Sequence, residues 1–279
     1  MILMLTKKWF VKCCLIGMLV LIHADLPAQS LNYSNLSPII AMSVGVSNQS
    51  ALFGFLLNSA NLELIRKTEV GISATQKYGL KEMKEVLFAI AKQNAKISVG
   101  FSIHNCGSTF YNERLLSVYF SKNLQKNIHL GIDFGWQRRS MQSSYVDNQL
   151  QFGVGSLFIL SDNLKAGISI KKGIVISSTQ AYQSNPHVDV FAGISYALSK
   201  QCYLAIDCNK QTFFPAAMRL LFNYDVAKNI SFKYAYAADS NTQFWGLGFN
   251  WKKIRVSTNI AYHPQLGAYP GLAVASNRN

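Results

Sequence analysis

The histidines and charged residues are the groups in this sequence that could do chemistry, and they are dispersed along the chain. Of the five histidines, His23 lies in the N-terminal apolar region, and the other four, His104, His129, His187 and His263, lie in separate segments. None belongs to a His-Glu-x-x-His metal helix, and the sequence has neither a Gly-x-Ser-x-Gly nucleophile elbow nor a Gly-Lys-Ser/Thr phosphate loop. We therefore expect no enzyme activity, metal or cofactor. A hydrolase built on one inward histidine is kept as the last alternative.

His129 and Asp133 belong to a segment that alternates without a break. Between residues 128 and 137, bulky apolar side chains alternate with small or polar ones. Because side chains of a strand point to opposite faces in turn, the polar groups share one face and the apolar groups the other. Similar alternation recurs to the C-terminus from about residue 68, at spacings of roughly 10 to 15 residues. The pattern predicts an all-β chain of hairpins.

The N-terminal residues have the layout of a cleavable secretory signal peptide. Lys7, Lys8 and Lys12 come before or beside an apolar stretch at 13–22, and Ala28 marks the expected cleavage site. This stretch is too short for a membrane-spanning helix, which needs about 20 residues, and no later window is longer. We expect an exported protein whose membrane spans are strands.

Export and repeated alternation together predict a transmembrane antiparallel up-and-down β-barrel in the outer membrane of a Gram-negative cell. Charged residues make up 14% of the chain and hydrophobic ones 49%, which suits a lipid-facing surface, although a β-sandwich with a large core would read similarly. About fourteen strands are predicted, with twelve as the alternative. They lie near 68–78, 84–92, 95–105, 112–122, 127–139, 147–160, 163–173, 187–199, 201–209, 215–225, 229–238, 243–252, 254–263 and 269–276.

The connections between these strands predict how the barrel is oriented. Short polar turns alternate with longer connections, and in outer-membrane barrels short turns face the periplasm. The longer connections are expected at 106–111, 140–146, 174–186, 210–214, 239–242 and 264–268. The chain is thus divided into a signal peptide (1–28), an N-terminal segment (29–67) and the barrel (68–279). The N-terminal segment is expected to plug the lumen, with a strap across the mouth or an extra strand pair as alternatives.

Charged side chains on the predicted inward face are the candidate functional residues. The functional reading is a polar conduit with some preference for anions, because rings of Lys or Arg favour anions. The structural reading is that these side chains pair across neighbouring strands, as Asp207 and Arg219 could. The net charge of +14 is spread along the chain, so nucleic acid is not an expected partner. The candidates that we expect to line the lumen are Lys96, Arg114, His129, Asp133, Lys165, Asp189, Asp207, Arg219, Lys233 and Arg255.

Three short motifs resemble a known family. They are Asn58-Ser59-Ala60-Asn61-Leu62 before the first strand, Tyr111-Asn112-Glu113, and His263-Pro264-Gln265-Leu266-Gly267. The chain resembles the long-chain fatty-acid transporter superfamily of outer-membrane proteins, and more closely the barrels associated with type IX secretion, although Ser59 stands where those proteins have proline. The resemblance implies a 14-stranded barrel with a luminal N-terminal segment.

We therefore expect a passive channel for small hydrophobic compounds. The alternative is a non-transporting accessory or shuttle barrel of a type IX-like secretion system. The expected partners are outer-membrane lipid and either a small hydrophobic ligand or a secretion component. A missing ladder bond near Pro186 or Pro215 would favour lateral release of an apolar cargo.

Overall fold

A computed structural model describes residues 52–65, 67–80, 82–142, 145–178, 187–212 and 214–276. Within these residues, fourteen antiparallel strands follow one another around a closed barrel, and β1 completes it by pairing with β14. This confirms the predicted up-and-down barrel, with fourteen strands and not twelve. The strands are β1 (Thr68–Gln76), β2 (Lys84–Lys92), β3 (Ser98–Gly107), β4 (Tyr111–Gln125), β5 (Ile128–Met141), β6 (Tyr145–Ile159), β7 (Leu164–Ser178), β8 (His187–Ala197), β9 (Cys202–Gln211), β10 (Ala217–Ala227), β11 (Ile230–Ala237), β12 (Thr242–Trp251), β13 (Ile254–His263) and β14 (Gly267–Ser276).

The alternation in β5 shows which face of the wall points outward. Ile132 and Phe134 are 44% and 41% exposed, whereas His129 and Asp133 between the apolar positions are buried. The other strands repeat this pattern, with large apolar side chains on the outside. A barrel that exposes such a surface is suited to lipid, where closure also leaves no strand edge unpaired. None of the described helices is both long and apolar enough to cross a membrane.

The wall is taller along β4–β7 than elsewhere. These strands have 14 or 15 residues, whereas the others have 8 to 11. Segments predicted as long loops at 106–111, 140–146 and 174–186 are therefore partly strand. Polar residues such as Ser140 resemble loop residues in sequence, yet the ladder between β4 and β5 continues to Met141. Strand pairing that extends beyond a membrane tolerates polar side chains because water solvates them.

The two ends of the barrel differ, and we name them by the strand termini. At the terminus end, β1 begins, β14 ends, and the connections have two to five residues, as between β12 and β13. At the opposite end, a 3₁₀ turn (Lys77–Gly79) lies between β1 and β2. Odd-numbered strands run from the terminus end to the opposite end, and even-numbered strands return.

The seam that closes the barrel is short. β1 and β14 are paired only over residues 71–75 and 271–275, which gives five pairs. β14 pairs with β13 along its whole length, from Gly267 to Ser276, and β1 likewise pairs with β2 along its whole length. The part of β14 from Gly267 to Pro270 therefore has a strand partner on one side only.

Candidate functional site

Residues 52–65 lie inside the barrel, and we call them the plug. They form two short 3₁₀-helices, Leu52–Leu56 and Ser59–Leu64, whose apolar side chains are buried against the inward faces of β1–β6. The ring of Phe55 packs edge-on against that of Tyr119, with centroids 4.8 Å apart. The described part of the N-terminal segment is thus neither a strap nor a strand pair. The earlier part of the segment and the signal peptide lie outside the described residues.

The motif from Asn58 to Leu62 forms the start of the second plug helix. The Asn58 side chain accepts a hydrogen bond from the Ala60 backbone N–H (3.1 Å), as an N-cap does, and donates one from Nδ2 to the carbonyl of Ser156 on β6 (3.0 Å). The Asn61 amide donates to the carbonyl of Gly54 in the first plug helix (3.2 Å). Ser59 occupies the first helical position, where proline is favoured but not required, so its presence leaves the turn intact.

Glycines in the wall make room for the plug. A Cβ atom at Gly131 would overlap the backbone of Ser59 and Ala60, and one at Gly155 would overlap the Asn58 side chain. At Gly71 and Gly100 it would approach leucine side chains of the plug to 2.7 and 3.0 Å. Gly131 and Gly155 are therefore required by the close approach of the plug to β5 and β6.

A buried ion pair joins the plug to the wall. Lys171 on β7 lies 3.2 Å from the Asp133 carboxylate on β5, and both side chains are buried. The same ammonium group donates a hydrogen bond to the carbonyl of Leu56 at 2.7 Å. A buried charge is stable only when it is paired and hydrogen-bonded, and here the plug backbone supplies part of that requirement.

On the other side of the lumen, apolar side chains form one continuous row, which we call the girdle. Each member lies directly opposite the next in the strand register, from β9 to β14, and all six are buried in one cluster. Because barrel strands are tilted, the row climbs obliquely towards the opposite end. The girdle residues are Ala205, Leu221, Ala235, Phe244, Ala261 and Tyr269.

Polar rows border the girdle on both sides. Towards the opposite end, Arg219 lies across from Asp207 on one side and Ala237 on the other. Towards the terminus end, the next row includes Lys233 and Asn223. The lumen on this side is therefore amphipathic, with an apolar band between two polar ones.

The predicted site residues mostly lie on the inward face, distributed over both sides of the lumen. Asp133 contacts the plug-bound Lys171, Arg219 and Asp207 border the girdle, and the Arg255 guanidinium donates to the Ser231 hydroxyl at 3.0 Å. The structure does not bring the set together into one site. The eight inward residues are His129, Asp133, Lys165, Asp189, Asp207, Arg219, Lys233 and Arg255.

Two of the ten residues were placed wrongly. Lys96 is exposed in the turn between β2 and β3, because β3 begins only at Ser98. Arg114 lies on the outward face, where its Nε donates to the Asn105 side chain at 3.2 Å. Leu115 and Leu116 are adjacent, so the local alternation fits either face, and the inward position belongs to Leu115.

The four histidines remain apart. His104 bonds to the Glu85 carboxylate at 2.9 Å, and this carboxylate also pairs with Lys77 at 3.1 Å. His263 Nδ1 accepts backbone N–H groups of the turn that follows it. Among the described residues, no hydrogen bond or ion pair joins two histidines, and no cluster could hold a metal ion. His104 and His263 therefore belong to separate local networks.

The sequence interpretation missed Lys171 and the girdle. Lys171 could have been found, because Lys165 was placed inward on the same strand and an even spacing keeps the face. The girdle could not, because its members become neighbours only once the strand register is known.

A depression in the outward surface lies over the seam between β1 and β14. Its volume is about 830 Å³, and apolar groups predominate in its lining. The β1–β14 ladder stops here, next to Pro270. Pro215 precedes β10, whose pairing with β9 has no shift, and Pro186 lies outside the described residues. On the luminal side of this seam the rings of Tyr78 and Tyr269 are in contact, with their centroids 5.0 Å apart. The lining includes Val86, Phe232, Trp245, Leu247, Pro270 and Leu272.

The fold is similar to those of solved outer-membrane channels. The chain is similar to the CymD monoaromatic hydrocarbon channel, with a TM-score of 0.56 and 12% identity over 88% of this chain and 97% of that one. For the Ralstonia pickettii toluene transporter TbuX the TM-score is 0.56 and the identity 9%, over 85% of this chain and 95% of that one. For the Pseudomonas putida toluene transporter TodX the TM-score is 0.54 and the identity 10%, over 85% of this chain and 96% of that one. No protein-family profile and no curated protein sequence matches this chain.

These similarities and the geometry define the class of the protein. It is a transmembrane, closed antiparallel 14-stranded β-barrel with a luminal plug, and its fold is similar to those of solved outer-membrane channels. At 9–12% identity the similarity establishes the fold alone.

Proposed function

We propose that this protein is a passive outer-membrane channel for small hydrophobic compounds. The observation that carries the proposal is the girdle, because a band of Leu, Phe, Tyr and Ala across the inward faces of six strands suits an apolar solute and not a hydrated one. The fold supports it, since the similar structures are those of monoaromatic hydrocarbon channels and toluene transporters. In this proposal the terminus end faces the periplasm, as in bacterial barrels generally.

The seam between β1 and β14 gives the apolar solute a route into the membrane. The girdle ends at Tyr269, which contacts Tyr78 just inside the unpaired part of the seam. The apolar depression lies just outside it and has Pro270 in its lining. A solute that follows the girdle thus reaches the weakest part of the wall without crossing a polar row. Separation of the two tyrosine rings would open this route.

Uptake of toluene by cells tests the channel. The chain is expressed in a Gram-negative host whose lipopolysaccharide layer slows hydrophobic compounds, and the initial uptake of radiolabelled toluene is measured. We expect faster uptake with the wild type, and loss of this gain with Ala235→Trp, which fills the girdle. Ala192→Trp is the matched control, because Ala192 lies on the outward face of β8. The proposal would be overturned if cells that express the wild-type protein took up toluene no faster than the host without it.

The accessory role in a type IX-like secretion system is the competing hypothesis. It and the relation to fatty-acid transporters rest on the short motifs, of which the Asn58–Leu62 segment serves here to seat the plug. This role predicts unchanged toluene uptake together with a secretion component that co-purifies with the barrel. If the signal peptide is cleaved after Ala28, the mature chain begins at Gln29. N-terminal sequencing of the membrane-inserted protein would test this.

A further inference from the structure

Among the described residues that border the girdle, Arg219 is a cation with no hydrogen-bond or ion-pair partner. Arg219 lies on β10, one inward position closer to the opposite end than Leu221, and only 6% of its surface is exposed. Its Nη2 atom has no hydrogen-bond partner, and none of the ion pairs between described residues includes it. A guanidinium group holds five N–H donors and keeps its charge, so a buried one without an acceptor is costly.

Two other luminal cations, Lys171 and Arg255, have such partners. Lys171 pairs with Asp133 and bonds to Leu56, and Arg255 donates to Ser231. Two carboxylates do lie near Arg219: Asp207 across the β9–β10 ladder, and Asp239 just after β11. Both carboxylates interact with the Arg219 charge at longer range, but neither forms an ion pair with it. Arg219 therefore retains donor capacity that a ligand could use.

Small and apolar side chains lie beside Arg219 on the inward face. The inward neighbours are small, since Ala217 precedes Arg219 on its own strand and Ala237 lies opposite on β11. The adjoining girdle residues, Leu221 and Phe244, are apolar. A molecule placed here would meet a fork of charged donors at one end and an apolar surface at the other.

We propose that Arg219 and the girdle form a binding site for small aromatic carboxylates, in which the guanidinium group binds the carboxylate and the girdle binds the ring. Guanidinium and carboxylate match each other in a bidentate geometry, and this match is strongest where water is excluded. The inference rests on the proposed channel function and deepens it. The channel would accept compact apolar acids in addition to neutral hydrocarbons, with Arg219 as the residue that selects the acid.

Benzoate and benzamide provide a matched pair of probes, because they have the same ring and nearly the same shape but only benzoate is charged. Their binding to the purified full-length barrel in amphipol is measured by equilibrium dialysis. The variants are Arg219→Gln and Arg219→Lys, and the control is Arg138→Gln, whose side chain is exposed on the outward face of β5. The heat-induced mobility shift of folded barrels on gels verifies that each variant is folded.

The expected result is selective. Arg219→Gln should weaken benzoate binding roughly tenfold to a hundredfold, as the loss of a charged hydrogen bond does, and leave benzamide binding within about twofold. Arg219→Lys should retain part of the benzoate affinity, and the Arg138 control should retain all of it. Unchanged benzoate binding in Arg219→Gln, or an equal loss for both probes, would overturn the site.

Toluene uptake by the same variants separates this inference from the channel itself. Toluene has no group for Arg219, so Arg219→Gln should transport it as the wild type does. Failure of the acid site alone would leave toluene uptake intact. Failure of the channel function would show instead as an absence of toluene uptake in the wild type.

Discussion

The Nζ atom of Lys171 lies 2.7 Å from the carbonyl oxygen of Leu56, at the end of the first plug helix. The same ammonium group is paired with Asp133 on the wall. One lysine thus satisfies a backbone carbonyl of the plug and a buried carboxylate of the barrel. The plug is joined to the wall by charge-assisted bonds in addition to apolar packing, which makes its seating sensitive to single substitutions.

Replacing Lys171 by methionine should loosen the plug. The change removes the bond to Leu56 and leaves the Asp133 carboxylate buried without its cation, at a cost of about 3–5 kcal/mol. We expect faster hydrogen–deuterium exchange in residues 52–65, measured by mass spectrometry. Lys172→Met is the control, since Lys172 is exposed on the outward face of the same strand. The double change Asp133→Leu with Lys171→Met should restore stability, and unaltered exchange in Lys171→Met would contradict this role.

A single methyl group at Gly131 should displace the plug. A Cβ there meets plug backbone, which cannot yield as a side chain can, and overpacking of this kind costs about 1–3 kcal/mol. Gly131→Ala should therefore raise exchange in the plug while the barrel keeps its mobility shift on gels. Gly135→Ala provides the comparison, because a Cβ there meets only the tips of wall side chains such as Ser117. Equal exchange in the two variants would argue against close backbone contact at Gly131.

Lys77 should hold the opposite end of the barrel together up to alkaline pH. Burial by itself lowers the pKa of Lys77, but the charge and hydrogen bond of Glu85 and smaller contributions together raise it above its ordinary 10.5. A raised pKa stabilises the fold fully below that ordinary value, and this contribution is lost as pH rises through the folded pKa. Lys77→Met should thus lower the melting temperature at neutral pH. Above about pH 10.5 the gap between wild type and variant should narrow; a constant gap would refute the assignment.

The strand pattern could be predicted from the sequence because alternation in segments such as 128–137 determines both the strand and its outward face. The prediction of the inward face failed at Arg114, because the two adjacent leucines that follow it fit either face. The ends of β4–β7 were read as loops because polar residues in pairing strands beyond the membrane resemble loop residues. Local sequence contains no signal for strand length there.

The candidate site was less predictable because its contacts join distant residues. Ala235 and Phe244 are neighbours only through the register of β11 with β12, and the girdle requires five such registers in succession. Gly131 looks like an ordinary small inward residue until Ser59 and Ala60 are found against it. Alternation shows which positions face inward, but not which of them share a level of the barrel.

Replacing Pro270 by alanine should strengthen the seam and slow the uptake of toluene. The β13 ladder continues past Pro270, whereas the β1 ladder stops at the preceding pair, Thr75 with Gly271, so the missing N–H falls on the side of β1. Alanine supplies that donor, and one added backbone hydrogen bond stabilises by about 0.5–1.5 kcal/mol. We expect a higher melting temperature and toluene uptake reduced about twofold or more. Pro264→Ala, in the turn before β14, should change neither. If Pro270→Ala raises the melting temperature and uptake stays at the wild-type rate, apolar solutes leave the lumen by another route.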